Sequence, residues 1–344
     1  MKRLSVKQKK WINAKSRKAM HRLSKRKKKK SKRKRHKQYG NSDNFTKTHY
    51  LCAPTTLSLN DNEQETIDFF KRALDVGEQC SVKHRIYFDL KNVENITADA
   101  VMYIIAFINN FKRLKILNVY IEGNLPQNDN ARFFLQDVGF YSYVKGLKKI
   151  DLPNTNRFQI SHGQIADGEL VGKICDFINS IMGKTDLLCT KRLYPMIIEL
   201  MTNTRQHAYN RNNKSSIMEC NWYVFAENSD NCIKFIFLDT GVGIPETLSY
   251  NFPEKIANLF SGQKRDASFI SSALKGDFRT ETRERNRGKG LPGIYRDSIN
   301  GRITNMSIIS GSGKCIIMSD GQIEEKNLSS HFEGTLFCWE YSIK

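Results

Sequence analysis

Three polar residues spaced by four positions, Glu199, Asn203 and His207, would share one side of a helix. An amide oxygen such as that of Asn203 suits Mg²⁺, which prefers hard oxygen ligands and keeps most of its waters. A carboxylate one turn earlier, at Glu199, could accept a proton from an attacking water or hydroxyl. His207 is interpreted as a structural or phosphate-side residue. Taken alone, this spacing equally describes a solvated helix face, so the motif gains weight only from its neighbours.

A second polar group follows residues 232–238, an apolar stretch that is predicted to be a strand. Asp239 stands at the end of that strand. Gly241 and Gly243 would let the backbone approach a flat ring without a β-carbon in the way. The alternative is a glycine turn after a strand, but the full sequence Asp-Thr-Gly-Val-Gly-Ile-Pro is more specific than such a turn requires.

A third segment is rich in glycine and leads into a predicted helix. It contains Gly288, Lys289, Gly290 and Gly293. Backbone amides at the start of a helix bind anions through their geometry and the helix dipole, and Lys289 would add a positive charge. A lone glycine-rich loop is weak evidence for a phosphate site, so its position between the other segments matters more than its composition.

Together with Gly334-Thr335 in the last predicted strand pair, these segments occur in order across about 140 residues. They resemble the four nucleotide-binding boxes of the GHKL ATPases. That superfamily includes histidine kinases, type II topoisomerase ATPase domains, MutL-like proteins and anti-sigma-factor kinases. The resemblance covers residues 165–344 and implies an α/β sandwich that binds ATP and Mg²⁺.

The same resemblance implies a role for each matched residue. Asn203 would be the magnesium ligand, and Glu199 the general base in members that hydrolyse ATP or phosphorylate serine. Asp239 would accept a hydrogen bond from the adenine amino group, and Thr335 would contact that carboxylate through water. The remaining cofactor-binding residues would be Gly241, Gly243, Gly288, Lys289, Gly290 and Gly293.

About 40 residues between Pro245 and Arg287 are rich in serine, glycine and basic side chains. In the superfamily this stretch is the lid that closes over the triphosphate. A long irregular segment inside a compact domain is usually functional or disordered. Its basic residues would either meet phosphates or solvate a loop; they are Lys264, Arg265, Lys275, Arg279, Arg283 and Arg285.

Charge is concentrated at the N-terminus. Residues 1–38 hold 20 of the 56 basic residues and no acidic one, which leaves 36 basic and 35 acidic residues in the rest of the chain. Such a tail repels itself and is predicted to be disordered when alone. Because counterion release favours polyanions, nucleic acid is the expected partner, with weak base specificity. Anionic lipid and a purely solubilising tail are the alternatives.

The remaining composition limits the class of protein. A hydrophobic content of 39% is enough to form folded cores. The sequence has no run of 18 apolar residues, so no membrane span is predicted. The basic N-terminus lacks the apolar region of a secretion signal. The eight cysteines have neither a CxxC pair nor zinc spacing, and they are typical of buried thiols in a reducing compartment. We therefore expect a cytoplasmic protein.

A small α/β domain is predicted over residues 61–150, after a polybasic tail (1–40) and a polar linker (41–60). Its helical and strand patterns alternate along the chain. The predicted elements are a helix over 63–76, a strand over 85–90, a helix over 98–112, a strand over 114–121 and a helix over 131–138.

The passage from Phe88 to Val101 resembles the strand-to-helix loop of STAS domains, the fold of anti-sigma-factor antagonists. The serine that is phosphorylated in that family corresponds to Asp99, so the acceptor is absent. Ala98 and Ala100 also depart from the family pattern. A carboxylate at a helix start is stabilised by the dipole. It could imitate a phosphoserine or simply cap the helix, and we favour capping.

STAS domains and GHKL ATPases are partners in bacterial partner switching, so both resemblances in one chain imply a bacterial regulatory protein. Three functions remain open: an ATPase switch in which Glu199 activates water, a serine/threonine kinase in which it activates a hydroxyl, and an ATP-sensing nucleic-acid-binding or scaffold protein. A sensor histidine kinase is disfavoured, because the sequence has no helix pair with an acceptor-histidine motif. Many members of the superfamily dimerise, so a homodimer is compatible with the resemblance.

Overall fold

Short alternating strands and helices in the first half of the chain are followed by long antiparallel strands in the second half, as the computed structural model shows. The mixed α/β class is confirmed. The structure describes residues 47–79, 84–113, 119–144, 156–182, 187–207, 220–229, 231–260, 265–278, 290–300 and 303–342. Residues 47–344 form one compact unit.

The first half contains a parallel sheet with the strand order β1-β3-β5 and a two-stranded ladder of β2 and β4. Parallel neighbours need a crossover connection, and helices supply it here. The elements are β1 (Lys47–Cys52), β2 (Thr56–Leu57), α1 (Glu63–Gln79), β3 (His84–Asp89), β4 (Asn95–Ile96), α2 (Ala98–Arg113), β5 (Val119–Gly123) and α3 (Asp129–Asp137). The three predicted helices are confirmed, with bounds that differ by at most three residues.

The predicted linker over 41–60 is wrong from residue 47 onward. Strand β1 pairs in parallel with β3 from Lys47 opposite His84 to Cys52 opposite Asp89. Leu51 is the buried residue of β1, whereas Lys47, Tyr50 and Cys52 are exposed. A strand with one buried residue carries little apolar signal, so its sequence resembles a polar connection.

The second half contains a five-stranded antiparallel sheet with the order β6-β7-β8-β10-β9. The helices of the second half cover one of its faces. The elements are β6 (Arg157–Gly163), α4 (Gly168–Met182), α5 (Leu187–His207), β7 (Trp222–Ser229), β8 (Cys232–Asp239), α6 (Ile244–Asn251), α7 (Pro253–Phe260), α8 (Asp266–Lys275), α9 (Gly290–Ile299), β9 (Ile303–Ile317) and β10 (Ile323–Ser342).

Both faces of the antiparallel sheet are buried. Successive residues of β7 point in opposite directions, and all five residues from Trp222 to Ala226 are nonetheless buried. Tyr223 and Phe225 join the core of the first half, whereas Trp222 and Val224 join the core beneath α4, α5, α8 and α9. Helices α1 and α2 therefore lie between the two sheets, which explains why α2 is buried on almost every side.

The predicted irregular lid is largely helical in the described residues. Helices α6, α7 and α8 occupy most of 244–275. Helix α8 packs on β9 through Ala267, Ile270 and Leu274, which recur at helical spacing. Arg265 and Lys275 are exposed. The other four basic residues of this stretch, Lys264, Arg279, Arg283 and Arg285, lie outside the described residues.

Asp99 is buried and holds a loop of the first half. Its carboxylate oxygens accept hydrogen bonds from the backbone N–H groups of Leu59 (3.3 Å) and Asn60 (3.2 Å). The Thr97 hydroxyl donates to it as well. Burial raises the pKa of Asp99, and these bonds oppose the rise only in part. The carboxylate thus accepts hydrogen bonds from the neighbouring loop. Asp99 is only 2% exposed, whereas a phosphoserine that a partner recognises would have to be exposed.

The same loop is tied to the second half by a buried lysine. Lys314 of β9 donates to the carbonyl oxygen of Asn60 at 2.6 Å and lies 3.4 Å from a carboxylate oxygen of Glu63. Ser307 donates to the side-chain oxygen of Asn60 at 2.8 Å. Because Lys314 is 5% exposed, this junction is a charged contact largely removed from water.

Replacing Lys314 by alanine is expected to lower the free energy of unfolding by about 3–5 kcal/mol, because Glu63 and the Asn60 carbonyl lose a buried partner. Lys326 also bonds Glu63, but its side chain is 56% exposed, so its alanine variant is expected to cost less than about 1 kcal/mol. Urea denaturation of both variants measures the difference. Equal losses would show that the buried position of Lys314 is unimportant.

None of the helices in the described part of the chain combines the length and hydropathy needed to cross a lipid bilayer.

Candidate nucleotide-binding site

Helix α5 presents Glu199 and Asn203 on one side and packs on the sheet with the other. Both polar side chains are partly buried. The packing residues are Met196, Ile197, Leu200 and Met201, which are buried against the antiparallel sheet. Burial raises the pKa of the Glu199 carboxyl above its usual value. The predicted shared face of Glu199 and Asn203 is therefore present, and it lies in a partly dehydrated environment.

Gly290, the first residue of α9, lies directly against these two side chains. A β-carbon at Gly290 would be 2.9 Å from the Oε1 atom of Glu199 and 3.2 Å from the Nδ2 atom of Asn203. A normal side chain therefore does not fit there unless Glu199 moves. The third sequence segment thus meets the first in space, although about 90 residues separate them in the chain.

Replacing Gly290 by alanine is expected to lower ATP turnover by about 100-fold, because the new methyl group would push Glu199, the predicted base, out of position. Gly172, a glycine of α4 outside the site, is the matched control, because a β-carbon there would meet no atom of a neighbouring element within 4 Å among the residues that the structure describes. Steady-state ATPase assays compare the two variants. Equal activity of both would remove the contact with Glu199 from the mechanism.

Asp239 forms the second part of the site at the end of β8. Its Oδ1 atom accepts a hydrogen bond from the Gly241 N–H at 2.9 Å. Thr335 stands opposite it in the ladder with β10, and its hydroxyl and the Gly241 N–H both act to lower the pKa of this carboxyl. Loss of hydration nevertheless raises the pKa of Asp239 to about 6. The water-mediated contact that the resemblance implies for Thr335 stays a prediction.

The backbone around Asp239 is closely packed. Gly334 has a φ of 111°, and a β-carbon there would overlap the carbonyl oxygen of Asp239, so this position requires glycine. Gly243, with a φ of 85°, immediately precedes α6. The predicted glycine-rich turn is therefore present, and it is closed by the Gly334-Thr335 segment.

Ser310 connects the two sides of this turn and was not predicted from the sequence. Its hydroxyl accepts from the Ile244 N–H at 2.9 Å and donates to the Gly334 carbonyl at 2.9 Å. It also lies 3.2 Å from the Thr335 hydroxyl. The only sequence signal is its place in the run Ser-Gly-Ser-Gly at 310–313, because its importance depends on strand pairing.

The two parts of the site share a small apolar cluster. Ile244 follows the turn at Asp239, and Leu291 follows Gly290. Both side chains pack against the same buried group, which consists of Leu248, Phe269 and Ala273. The apolar contacts join the aspartate turn to the face that carries Glu199 and Asn203, so the two polar groups adjoin one region of the fold.

Not every predicted residue can be placed. Gly288 and Lys289 lie outside the described residues. His207 is the last residue of α5, and its side chain is likewise outside the description. Gly293 is in α9, but a β-carbon at this position would have neither Glu199 nor Asn203 within 4 Å. The described contacts therefore concentrate on Gly290 within the third segment.

The donor set near Gly290 is compatible with a magnesium–nucleotide complex. No group of three or more His, Cys, Asp or Glu residues in the described ranges could hold a metal ion. Magnesium often uses one or two protein oxygens and takes its other ligands from phosphates and water. The amide oxygen of Asn203 can supply such a ligand, and the Glu199 carboxylate beside it would stay available for a proton.

No protein-family model matches the chain, and no curated protein matches it.

Proposed function

We propose that the protein is an ATP-binding switch that hydrolyses ATP with Mg²⁺. The observation that supports this most is the approach of Gly290 to Glu199 and Asn203. Asn203 would hold the metal, and Glu199 would take the proton of an attacking water. Asp239 would accept a hydrogen bond from the adenine amino group, with Gly241 and Thr335 fixing the carboxylate. These roles follow the GHKL resemblance stated for residues 165–344.

The switch would act through the first half of the chain, which resembles a STAS domain. The Tyr103 hydroxyl of α2 donates to the carbonyl oxygen of Glu333 at 3.1 Å. Glu333 adjoins Gly334, which packs on Asp239. A nucleotide shifts an equilibrium only by its difference in affinity for two states. We propose that Tyr103 and its neighbours on α2 transmit that difference.

A serine/threonine kinase is the second candidate. The partly buried Glu199, whose pKa is raised by burial, would then activate a hydroxyl of a partner protein in place of water. A third candidate senses ATP without appreciable hydrolysis. Retention of a carboxylate at Glu199 favours the two catalytic candidates over the third.

The deciding experiment measures ATP binding and hydrolysis with Mg²⁺ by the whole chain, with and without nucleic acid. Glu199→Ala and Asn203→Ala are measured beside it. If the parent protein hydrolyses ATP and both variants do not, the result would support an ATPase. Weaker magnesium-dependent ATP binding is expected for Asn203→Ala alone. Tight binding without turnover by the parent protein would favour a kinase or a sensor.

The polybasic residues 1–38 are proposed to bind nucleic acid. Removal of these residues is expected to lower the affinity for an oligonucleotide by at least about 1,000-fold at low salt, because some 20 positive charges are lost. Fluorescence anisotropy at several salt concentrations measures this. Unchanged, salt-sensitive binding after the deletion would assign the binding to the rest of the chain.

A cytoplasmic, bacterial setting is part of the proposal. Cys52, Cys175, Cys315 and Cys338 are free thiols, which suits a reducing compartment. Cys175, Cys220 and Cys315 are buried, as expected for inert thiols, whereas Cys52 is exposed. A homodimer is compatible with the GHKL resemblance and is testable by light scattering.

A further inference from the structure

The parallel sheet of the first half is covered on one face by its own helices. Leu51, Ile86 and Phe88 point to that face and are buried in the core with α1 and α2. Side chains at alternate positions point to the opposite face. Parallel sheets normally have both faces covered, yet Tyr50 on this opposite face is 69% exposed.

Three tyrosines, one from each strand, lie on this second face. We name Tyr50, Tyr87 and Tyr120 the tyrosine face. Tyr50 and Tyr87 are direct partners in the ladder, and their ring centroids are 5.2 Å apart. Tyr120 is opposite Arg85, two residues before Tyr87, so it lies on the same face as Tyr87 and diagonally across from it. The three rings therefore form a row across the sheet.

This arrangement suits bases better than apolar ligands. Aromatic side chains on an open sheet stack two or three bases of single-stranded RNA in other folds. The side chains around the rings are polar, since Arg85 and Glu122 lie on the same face and pair with each other at 3.4 Å. Such a surface offers ring faces to stack on and few aliphatic groups to enter a lipid layer.

The charge of the chain points to the same partner. Residues 1–38 carry 20 basic and no acidic side chains, and eight residues separate them in sequence from β1, which carries Tyr50. Polycations bind phosphates without reading bases. A nucleic acid held in this way by the tail would be at high local concentration near the first strand of the parallel sheet.

We propose that the tyrosine face stacks two or three unpaired bases of a single-stranded nucleic acid. This inference rests on the nucleic-acid part of the proposed function and is independent of the ATP site. Duplexes are not the intended ligand, because their bases are already stacked and paired. The tail would supply most of the affinity, and the tyrosine face would supply the preference for single strands.

The test compares two ligands of equal length and charge, a single-stranded oligonucleotide and its abasic counterpart, by fluorescence anisotropy with the full chain. The parent protein is expected to bind the base-containing strand at least about five-fold more tightly. Tyr50→Ala should remove that difference, whereas Tyr50→Phe should keep it. Phe133→Ala is the control, since Phe133 is 65% exposed in the same half but lies on α3.

Each remaining outcome is decisive. If the parent protein binds both ligands equally, or if Tyr50→Ala leaves the difference unchanged, the tyrosine face is not a stacking surface even though the tail binds phosphates. If neither ligand binds at any salt concentration, the nucleic-acid part of the proposed function fails together with this inference. RNA and DNA versions of the strand identify which nucleic acid the face prefers.

Discussion

Replacing Glu199 by glutamine is expected to lower ATP turnover by about 100- to 10,000-fold while ATP still binds. Glutamine keeps the shape of the side chain beside Gly290 but cannot accept the proton of the attacking water. A single-turnover assay with radiolabelled ATP separates loss of chemistry from loss of binding. Glu254→Gln, at an exposed position of α7, is the control and should behave like the parent protein.

The pH dependence of ATP turnover is a second test of the role of Glu199. Burial raises the pKa of Glu199, and a general base acts only when it is ionised. Turnover should therefore fall as the pH is lowered, beginning above the usual range of a glutamate. Normal turnover by Glu199→Gln, with the same pH profile, would exclude this carboxylate as the base.

Replacing Asp239 by asparagine is expected to weaken ATP binding about 10- to 100-fold and to abolish the preference for ATP over GTP. The variant loses the charged acceptor for the adenine amino group while keeping an oxygen for the Gly241 N–H. Isothermal titration with both nucleotides measures the change. Asp277→Asn, at an exposed position after α8, is the control. Unchanged ATP affinity would contradict the pocket described around Asp239.

The same variant should be more stable than the parent protein without nucleotide. The folded state raises the pKa of Asp239 from 3.8 to about 6, so keeping this group ionised at pH 7 costs on the order of 1–3 kcal/mol. Because the native state holds the proton more tightly, this cost is fully present above about pH 6 and shrinks as the pH falls toward 4. Thermal unfolding of both proteins across this range measures it.

ATP binding should show the opposite dependence on pH. The ionised carboxylate is the form that accepts from the adenine amino group, so the affinity of the parent protein should fall below about pH 6. The asparagine variant cannot titrate at this position and should have no such fall. A shared decline in both proteins would assign the effect to another group.

Local periodicity was sufficient to predict several elements. The helices that begin near Glu63 and Ala98 and the strand that ends at Asp239 were predicted close to their observed positions. The four-residue spacing of Glu199 and Asn203 likewise placed both on one side of α5. These predictions succeed because helical and strand repeats are properties of neighbouring residues.

Two predictions were wrong where a strand has few buried residues or where helices follow loop-like sequence. Strand β1 has one buried residue, since one face of its sheet is open, and its sequence therefore resembled a linker. The helices within the predicted lid follow glycine- and serine-rich stretches that resemble a loop, yet α8 gains stability from packing on β9. In both places the decisive interactions come from distant segments.

The sequence by itself determined the polybasic tail, the mixed α/β class, and the residue types available for a nucleotide site. Tertiary structure alone decided that Gly290 lies against Glu199 and that Ser310 joins Ile244 to Gly334. It also decided that Asp99 is buried by a loop about 40 residues away in the chain. The physical reason is that the hydrophobic pattern of a sequence indicates which face of a helix or strand a residue occupies. Which of these faces meet is decided by strand pairing and side-chain packing between segments that are far apart in the chain.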